Sequence, residues 1–364
     1  MRLRHIALQD FRNVALCALE PAPGRVFLLG ANGQGKTNLL EAAGLASALR
    51  SFRTQEWPAM VRRGSAQARV LLRIEHETDG EVELEIRLGA RAREAVLNGA
   101  PARLGDLLGR FPVVSLSSDD MRLLRGPPGE RRRAFDLLFS SASDEYFTAL
   151  RRYHGALKSR NELLRAERPD DAQLAAFEAE MSQCAESLVR LRTEGCATLA
   201  ADVRAAYAHI DGGRERPDLA YAAASADVRD EGQWRALFAR NRAREKFAQK
   251  TVEGPHRDDY RFLFEDNPAR EFASEGQQRA LVVSWRLAQA HWLERARGIR
   301  PVLIADDILG ELDPARRAGF WRAVSRQWQV LASGTTLPAD TDSLDGWQIW
   351  NVRDGVFSLS IPPV

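Results

Sequence analysis

Arg25-Val26-Phe27-Leu28-Leu29-Gly30-Ala31-Asn32-Gly33-Gln34-Gly35-Lys36-Thr37-Asn38-Leu39-Leu40-Glu41-Ala42-Ala43 decides the fold. A short apolar run reads as a buried strand, and the Leu/Ala-rich run after Thr37 reads as a helix over Thr37–Leu49. Between them, Gly30 to Thr37 fits G-x-x-x-x-G-K-[ST] in full. Glycines let backbone N–H groups curl around a phosphate, and the helix points its positive end at the same anion. Lys36 is placed to reach the β and γ phosphates, and the Thr37 hydroxyl to ligate Mg²⁺. Lysine occurs only at 36, 158, 246 and 250, so among 52 basic residues Lys36 is a rare choice at the position where phosphate chemistry needs it.

The same logic extends outward. Pro301-Val302-Leu303-Ile304-Ala305-Asp306-Asp307 reads as a buried strand ending in two carboxylates. Asp306 suits a water-mediated hold on Mg²⁺, and Asp307 the polarisation of an attacking water. Further strands are expected at Leu3–Leu8, Ala68–Glu75, Val82–Leu88, Pro112–Leu116, Tyr260–Phe264, Gln329–Ala332 and Gln348–Val352. From Arg131 to Phe247 strand signals nearly vanish. There Leu174, Phe177, Met181, Cys184, Leu188 and Leu191 form a heptad seam, and Leu150, Tyr153, Leu157 and Leu164 a matching stripe, with Pro169 and an Asp N-cap between them. This reads as an antiparallel helical hairpin, with two core helices of a globular lobe as the alternative. α/β sequence on both sides makes it an insertion in a discontinuous domain.

Composition bounds the rest. With 364 residues, 45% hydrophobic and 28% charged, the chain has the make-up of a globular protein of one or two domains. No apolar run is long enough for a transmembrane helix, and no secretory leader is evident. Cys17, Cys184 and Cys196 are scattered and odd in number, which points to a reducing, cytoplasmic setting. Net charge is only +2. Residues 121–165 nevertheless carry 10 basic against 5 acidic residues, and 235–261 carry 8 against 4. No aromatic–basic interleaving suggests stacking on single strands, so sequence-independent contact with duplex backbone is the expectation.

Two more stretches narrow the class. Ile308-Leu309-Gly310-Glu311-Leu312-Asp313-Pro314 resembles the D-loop of ABC-type ATPases. Ala273-Ser274-Glu275-Gly276-Gln277-Gln278-Arg279-Ala280 resembles their signature, a helix start with a Ser hydroxyl and a Gly backbone. Together with Leu8-Gln9-Asp10-Phe11-Arg12-Asn13, Ser51-Phe52-Arg53-Thr54, Gly126-Pro127-Pro128-Gly129-Glu130-Arg131-Arg132-Arg133-Ala134-Phe135-Asp136 and Thr251-Val252-Glu253-Gly254-Pro255-His256-Arg257-Asp258-Asp259, the chain resembles the RecF family of bacterial gap-repair ATPases, within the wider SMC and Rad50-type group.

That resemblance implies an α/β fold: a P-loop ABC-type ATPase head with an inserted all-helical domain, a short coiled-coil hairpin. The head would be residues 1–130 and 248–364 and the arm 131–247. It implies ATP and Mg²⁺ as cofactors. The ATP site would comprise Arg12, Asn13, Gly30, Ala31, Asn32, Gly33, Gln34, Gly35, Lys36, Thr37 and Asn38, with Lys36, Asp306 and Asp307 in catalysis and Thr37 and Asp306 on the metal. Ser274, Glu275, Gly276, Gln277 and Asp313 would act on the nucleotide of a second subunit. It further implies an ATP-dependent homodimer, DNA at single-strand gaps and junctions, partnership with RecR and RecO, loading of RecA, a weak DNA-stimulated ATPase and a nucleoid-associated location. Asp307 stands where transporters carry Glu, which implies slow hydrolysis. No switch-loop His follows Gln329–Ala332; Ser333, Gly334, Thr335 and Thr336 occupy that place. Arg53 is a candidate for phosphate or DNA, with a surface ion pair as the alternative, and His256 reads as a structural turn residue.

Two other functions are weighed. A transporter ATPase subunit places its signature much closer to the phosphate loop than the 241 positions from Gly35 to Gly276, and nucleotide-dependent DNA binding separates it from a repair clamp. An SMC-like DNA organiser has far longer arms, and a preference for gapped over intact duplex separates it.

Overall fold

The computed structural model describes residues 1–54, 56–90, 92–337 and 346–360, with Leu309 and Glu311 by backbone alone. Two compact units emerge. The first comprises Met1–Met121, Ala205–Glu215 and the chain from Ser274 onward; the second comprises Arg122–Arg204 and Arg216–Ala273.

The first unit holds two six-stranded sheets. One runs in the order Val356–Leu359, Trp347–Arg353, Arg25–Leu29, Gln329–Gly334, Val302–Asp306, Val113–Ser117, parallel except for the edge hairpin. Its central strands are near-continuous apolar runs because both faces are covered, as parallel sheets require. The register sets Asp306 opposite Ser333 and Gly334 opposite Leu29, so the phosphate loop, the acidic pair and a serine share one end of the sheet. Helix α1 (Lys36–Ala48) follows the Arg25–Leu29 strand. The second sheet is antiparallel and includes Arg2–Phe11, Gln67–His76 and Gly80–Gly89. Val70, Leu72 and Ile74 alternate with more exposed neighbours, as do Val82 and Leu84, so one face enters the core.

The second unit contains α2 (Pro128–Ala142), α3 (Asp144–Leu164), the larger part of α4 (Asp171–Asp211) and α5 (Glu231–Ala248). Helices α3 and α4 run antiparallel. Arg190 reaches Glu145, and Arg160 reaches Glu178 at 2.9 Å. The seam residues Leu174, Met181, Cys184 and Leu188 are buried, while Phe177 and Leu191 are partly covered. The pair is thus an antiparallel hairpin with its seam buried, and α5 joins it through Arg242–Glu178 and Lys246–Asp171.

The boundaries differ from those expected. The stretch Thr251–Asp259, assigned from sequence to the head, belongs to the second unit, because Asp259 takes the Arg131 guanidinium at 2.8 Å on both oxygens and Asp258 takes Arg192 at 2.9 Å. The insertion also carries more than helices. Pro217–Ala222 pairs with Asp259–Phe264 in a three-stranded sheet, an Ala-containing strand fixed by its partner rather than by propensity. The three cysteines are buried and free, and among the described residues no helix is long and apolar enough to cross a membrane. The first unit also holds α6 (Glu275–Arg297) and α7 (Pro314–Ala323).

Candidate nucleotide-binding site

The loop before α1 is built from backbone constraints. Gly35 has φ 114°, and a Cβ there would lie 3.0 Å from Asn13 Oδ1; a Cβ on Gly30 would lie 2.3 Å from the Val352 carbonyl oxygen. Only glycine fits either place. A second turn braces the loop: Asp354 N–H donates to Gln34 Oε1 at 2.7 Å, and Gly355 N–H donates to the Gln34 carbonyl at 2.8 Å. No side chain caps α1, and its start, where the positive end of the helix lies, adjoins the loop. Lys36 is 5% exposed. Its ammonium donates to the carbonyls of Gly30 (2.6 Å) and Ala31 (2.9 Å). Burial pushes its pKa down, and Asp307 and Asp306 partly oppose that.

Opposite it, Thr37 Oγ1 and Ser333 Oγ both donate to Asp306 Oδ1, at 2.9 and 2.8 Å. Burial raises the Asp306 pKa, against the two hydroxyls. Asp307 is exposed with φ 56°, and its N–H donates to Ser333 Oγ at 3.1 Å. Ser333 is therefore the hydroxyl of the 333–336 stretch that joins the acidic pair. Thr335 and Thr336 are exposed.

A residue without an assigned role in the sequence reading organises the rim. Glu41, fully buried in α1, accepts from Arg12 Nε (2.9 Å) and Nη2 (2.7 Å), from Arg53 Nη1 (3.3 Å) and from the Ser51 hydroxyl. Arg12 also reaches the Ala59 carbonyl, and Arg53 reaches Asn38 Oδ1 at 3.0 Å. Asn38 donates to Asn13 (2.6 Å), whose amide donates to the Gly33 carbonyl at 3.3 Å. The available signal was a lone acid inside an apolar helix. Of these, Arg12, Asn13, Asn38 and Arg53, with Asn32, Gln34, Lys36, Thr37, Val61, Arg62, Arg63, Asp306, Asp307 and Ser333, line an open cleft of about 850 Å³, while Glu41 holds the two arginines from beneath. The sequence reading also missed the wall from Ala59 to Arg63.

The signature residues do not line this cleft. Ser274 caps α6 in a reciprocal box: its Oγ accepts from Gln277 N–H at 3.3 Å, and Gln277 Oε1 accepts from Ser274 N–H at 2.7 Å. Ser274 and Glu275 are exposed; Gly276 packs so close to Arg316 that a Cβ would lie 2.4 Å from the guanidinium. Gln277 donates to Glu215 at 2.9 Å. Asp313 caps α7 through Arg316 N–H at 3.0 Å. His256 belongs to the second unit. Its Nδ1 meets the Tyr153 hydroxyl at 2.8 Å, and burial lowers its pKa to about 4.

A phosphate loop, an acidic strand end and a capped signature helix around one mostly parallel sheet define the head of an ABC- and SMC-type P-loop ATPase. No protein-family model matches the chain. The chain is 35% identical to the DNA replication and repair protein RecF of Symbiobacterium thermophilum, over 93% of this chain and 92% of that one. It is 35% identical to that of Gloeobacter violaceus over 100% and 99%, and 33% identical to that of Heliobacterium modesticaldum over 99% and 100%. The chain belongs to the RecF family. Its fold matches that of the recombination mediator protein RecF-ATP in the RecFOR pathway, with a TM-score of 0.89 at 24% identity over 99% of this chain and 98% of that one. An SMC head bound to the C-winged helix domain of ScpA shares the fold more loosely, at TM-score 0.56 and 15% identity over 99% and 98%.

Proposed function

We propose that the chain is an ATP-switched DNA clamp of recombinational gap repair. ATP occupies the Lys36 cleft, two copies close over two nucleotides, and the dimer holds DNA at gaps and single-strand/double-strand junctions. RecR with RecO is the partner in loading RecA, and hydrolysis is slow and DNA-stimulated. Relatives named for DNA replication and repair, and a fold neighbour solved with ATP, support this reading.

The observation that carries the two-subunit part is the position of Ser274. It is exposed at the start of a 23-residue helix, and no residue from Ser274 to Gln277 lines the cleft of its own unit. A γ-phosphate contact from Ser274 then requires a second copy.

Hard oxygen donors, Thr37 Oγ1 and Asp306 Oδ1, lie 2.9 Å apart at the cleft, a set that suits Mg²⁺. Bound there, the ion would neutralise charge on the β and γ phosphates. Lys36 shifts from its two carbonyls to the phosphates. Ser333 holds Asp306 in place, and Asp307 orients the water and accepts its proton, less effectively than a longer Glu.

Sedimentation with and without ATP and gapped duplex tests the reading. An ATP-dependent dimer that gains affinity for gapped DNA is expected. Ser274→Arg should keep monomer ATP affinity and lose the dimer. If the variant instead loses ATP binding as a monomer, the signature acts on its own nucleotide and the clamp is wrong.

A further inference from the structure

Helix α5 sorts its side chains into three strips. Trp234, Leu237, Phe238, Asn241 and Glu245 face inward and are buried. Along one flank the cations are neutralised: Arg235 pairs with Glu231, Arg242 with Glu178 and Lys246 with Asp171. On the outward strip, Arg240, Arg244 and Phe247 follow at i, i+4 and i+7, all exposed, with Ala236 and Ala243 beside them and Lys250 just past the helix end. Among the described residues neither Arg240, Arg244 nor Lys250 has an ion-pair partner. Phe247 is 94% exposed, more than any other large hydrophobic residue of the described chain.

One exposed apolar side chain alone would need no explanation. An aromatic ring set among unpaired cations and small alanines is different. The cations seek a polyanion, and the ring offers a flat apolar surface that water solvates poorly. A nucleic-acid strand with an unstacked base supplies both complements, phosphates for Arg240, Arg244 and Lys250 and a π-face for Phe247. A fully paired duplex supplies only the first.

We propose that the outward strip of α5 contacts DNA where a base is unpaired, with Phe247 stacking on that base. This rests on the DNA-clamp reading and gives it a means of telling a gap from intact duplex. The structure thereby supplies the aromatic–basic interleaving that was not apparent along the linear sequence.

Fluorescence anisotropy with the full chain tests it, using labelled gapped duplex and blunt duplex of equal length. Phe247→Ala should weaken gapped-DNA binding about 5- to 150-fold, the range of one base–aromatic stack. Blunt-duplex binding should stay within about twofold. Phe247→Trp should restore the preference. An abasic site at the gap edge should reproduce the loss with the wild-type chain and add nothing to Phe247→Ala. Replacing Arg240 and Arg244 together by Ala should flatten the salt dependence by about 1.4 in log–log slope. Wild-type affinity of Phe247→Ala for gapped DNA overturns the strip while leaving the clamp intact. A wild-type chain that binds neither DNA overturns the clamp reading and the strip with it. Stronger Phe247-dependent binding to phosphatidylserine vesicles than to gapped DNA assigns the strip to lipid and overturns the proposal.

Discussion

Two enclosed cations, Lys36 in the first unit and Arg160 in the second, are held in opposite ways. Lys36 touches two backbone carbonyls and no carboxylate within hydrogen-bonding distance. Arg160, fully buried, meets Glu178 at 2.9 Å, Glu245 at 2.7 Å and the Thr251 hydroxyl at 2.7 Å. The first charge is left short of a counterion, and the second is met by two carboxylates, although its Nε has no hydrogen-bond partner. A binding site and a structural network can therefore use the same chemistry, and what separates them is whether the charge is already answered from within the chain.

Stability measurements can break this contrast, and the expected effects fall in order. Arg160→Ala strands Glu245 and leaves Glu178 to Arg242 alone, so urea unfolding should show a loss of about 3–5 kcal/mol. A loss below about 1 kcal/mol would mean that the two carboxylates do not depend on Arg160 for their counter-charge.

His256 comes next. Its folded pKa, about 4, lies below the ordinary 6.5, so between these values the unfolded chain binds more protons. Its contribution is complete above about pH 6.5 and declines as pH falls toward 4, by up to about 3 kcal/mol. His256→Gln should remove that part of the acid slope. An unchanged slope in the variant would assign the acid sensitivity elsewhere.

The smallest stability effect belongs to Lys36→Met. An unanswered buried charge contributes little to folding, so stability should change by less than about 1 kcal/mol or rise slightly, while ATP-dependent sedimentation disappears. A stability loss as large as that of Arg160→Ala would erase the distinction.

The phosphate loop was legible because its chemistry is local: glycines at fixed spacing, one Lys and one Thr between an apolar run and a helix. The strand at Arg25–Leu29 stands where its apolar run placed it, and Asp306 ends a buried strand as read. Glu41 carried a signal, an acid in an Ala/Leu helix, but its partners Arg12, Ser51 and Arg53 come from other segments that only folding assembles. The buried networks of the second unit were illegible for the same reason. Arg192 and Asp258 are 66 positions apart, and nothing in either neighbourhood marks them as a pair. Their pairing, together with that of Arg131 and Asp259, also moved the unit boundary away from the sequence estimate. The strip on α5 was hidden by periodicity, since its residues are adjacent on a helix surface and separated along the chain.

The brace between Gln34 and the Asp354–Gly355 turn joins residues 320 positions apart, and the Arg25–Leu29 strand lies between two strands, Gln329–Gly334 and Trp347–Arg353, that follow it far along the chain. The nucleotide cleft is consequently assembled only after those two strands have been made. While the ribosome is still making the second unit, the phosphate-loop motif has emerged but has no sheet to sit in. A nascent chain of that length lacks the assembled cleft. Long-range strand pairing of this kind is slow and leaves apolar segments exposed in the interim. The cleft is thus contingent on strands that come far later, and a frameshift after Pro314 would leave the phosphate loop, the acidic pair and the signature in place without the sheet that holds them.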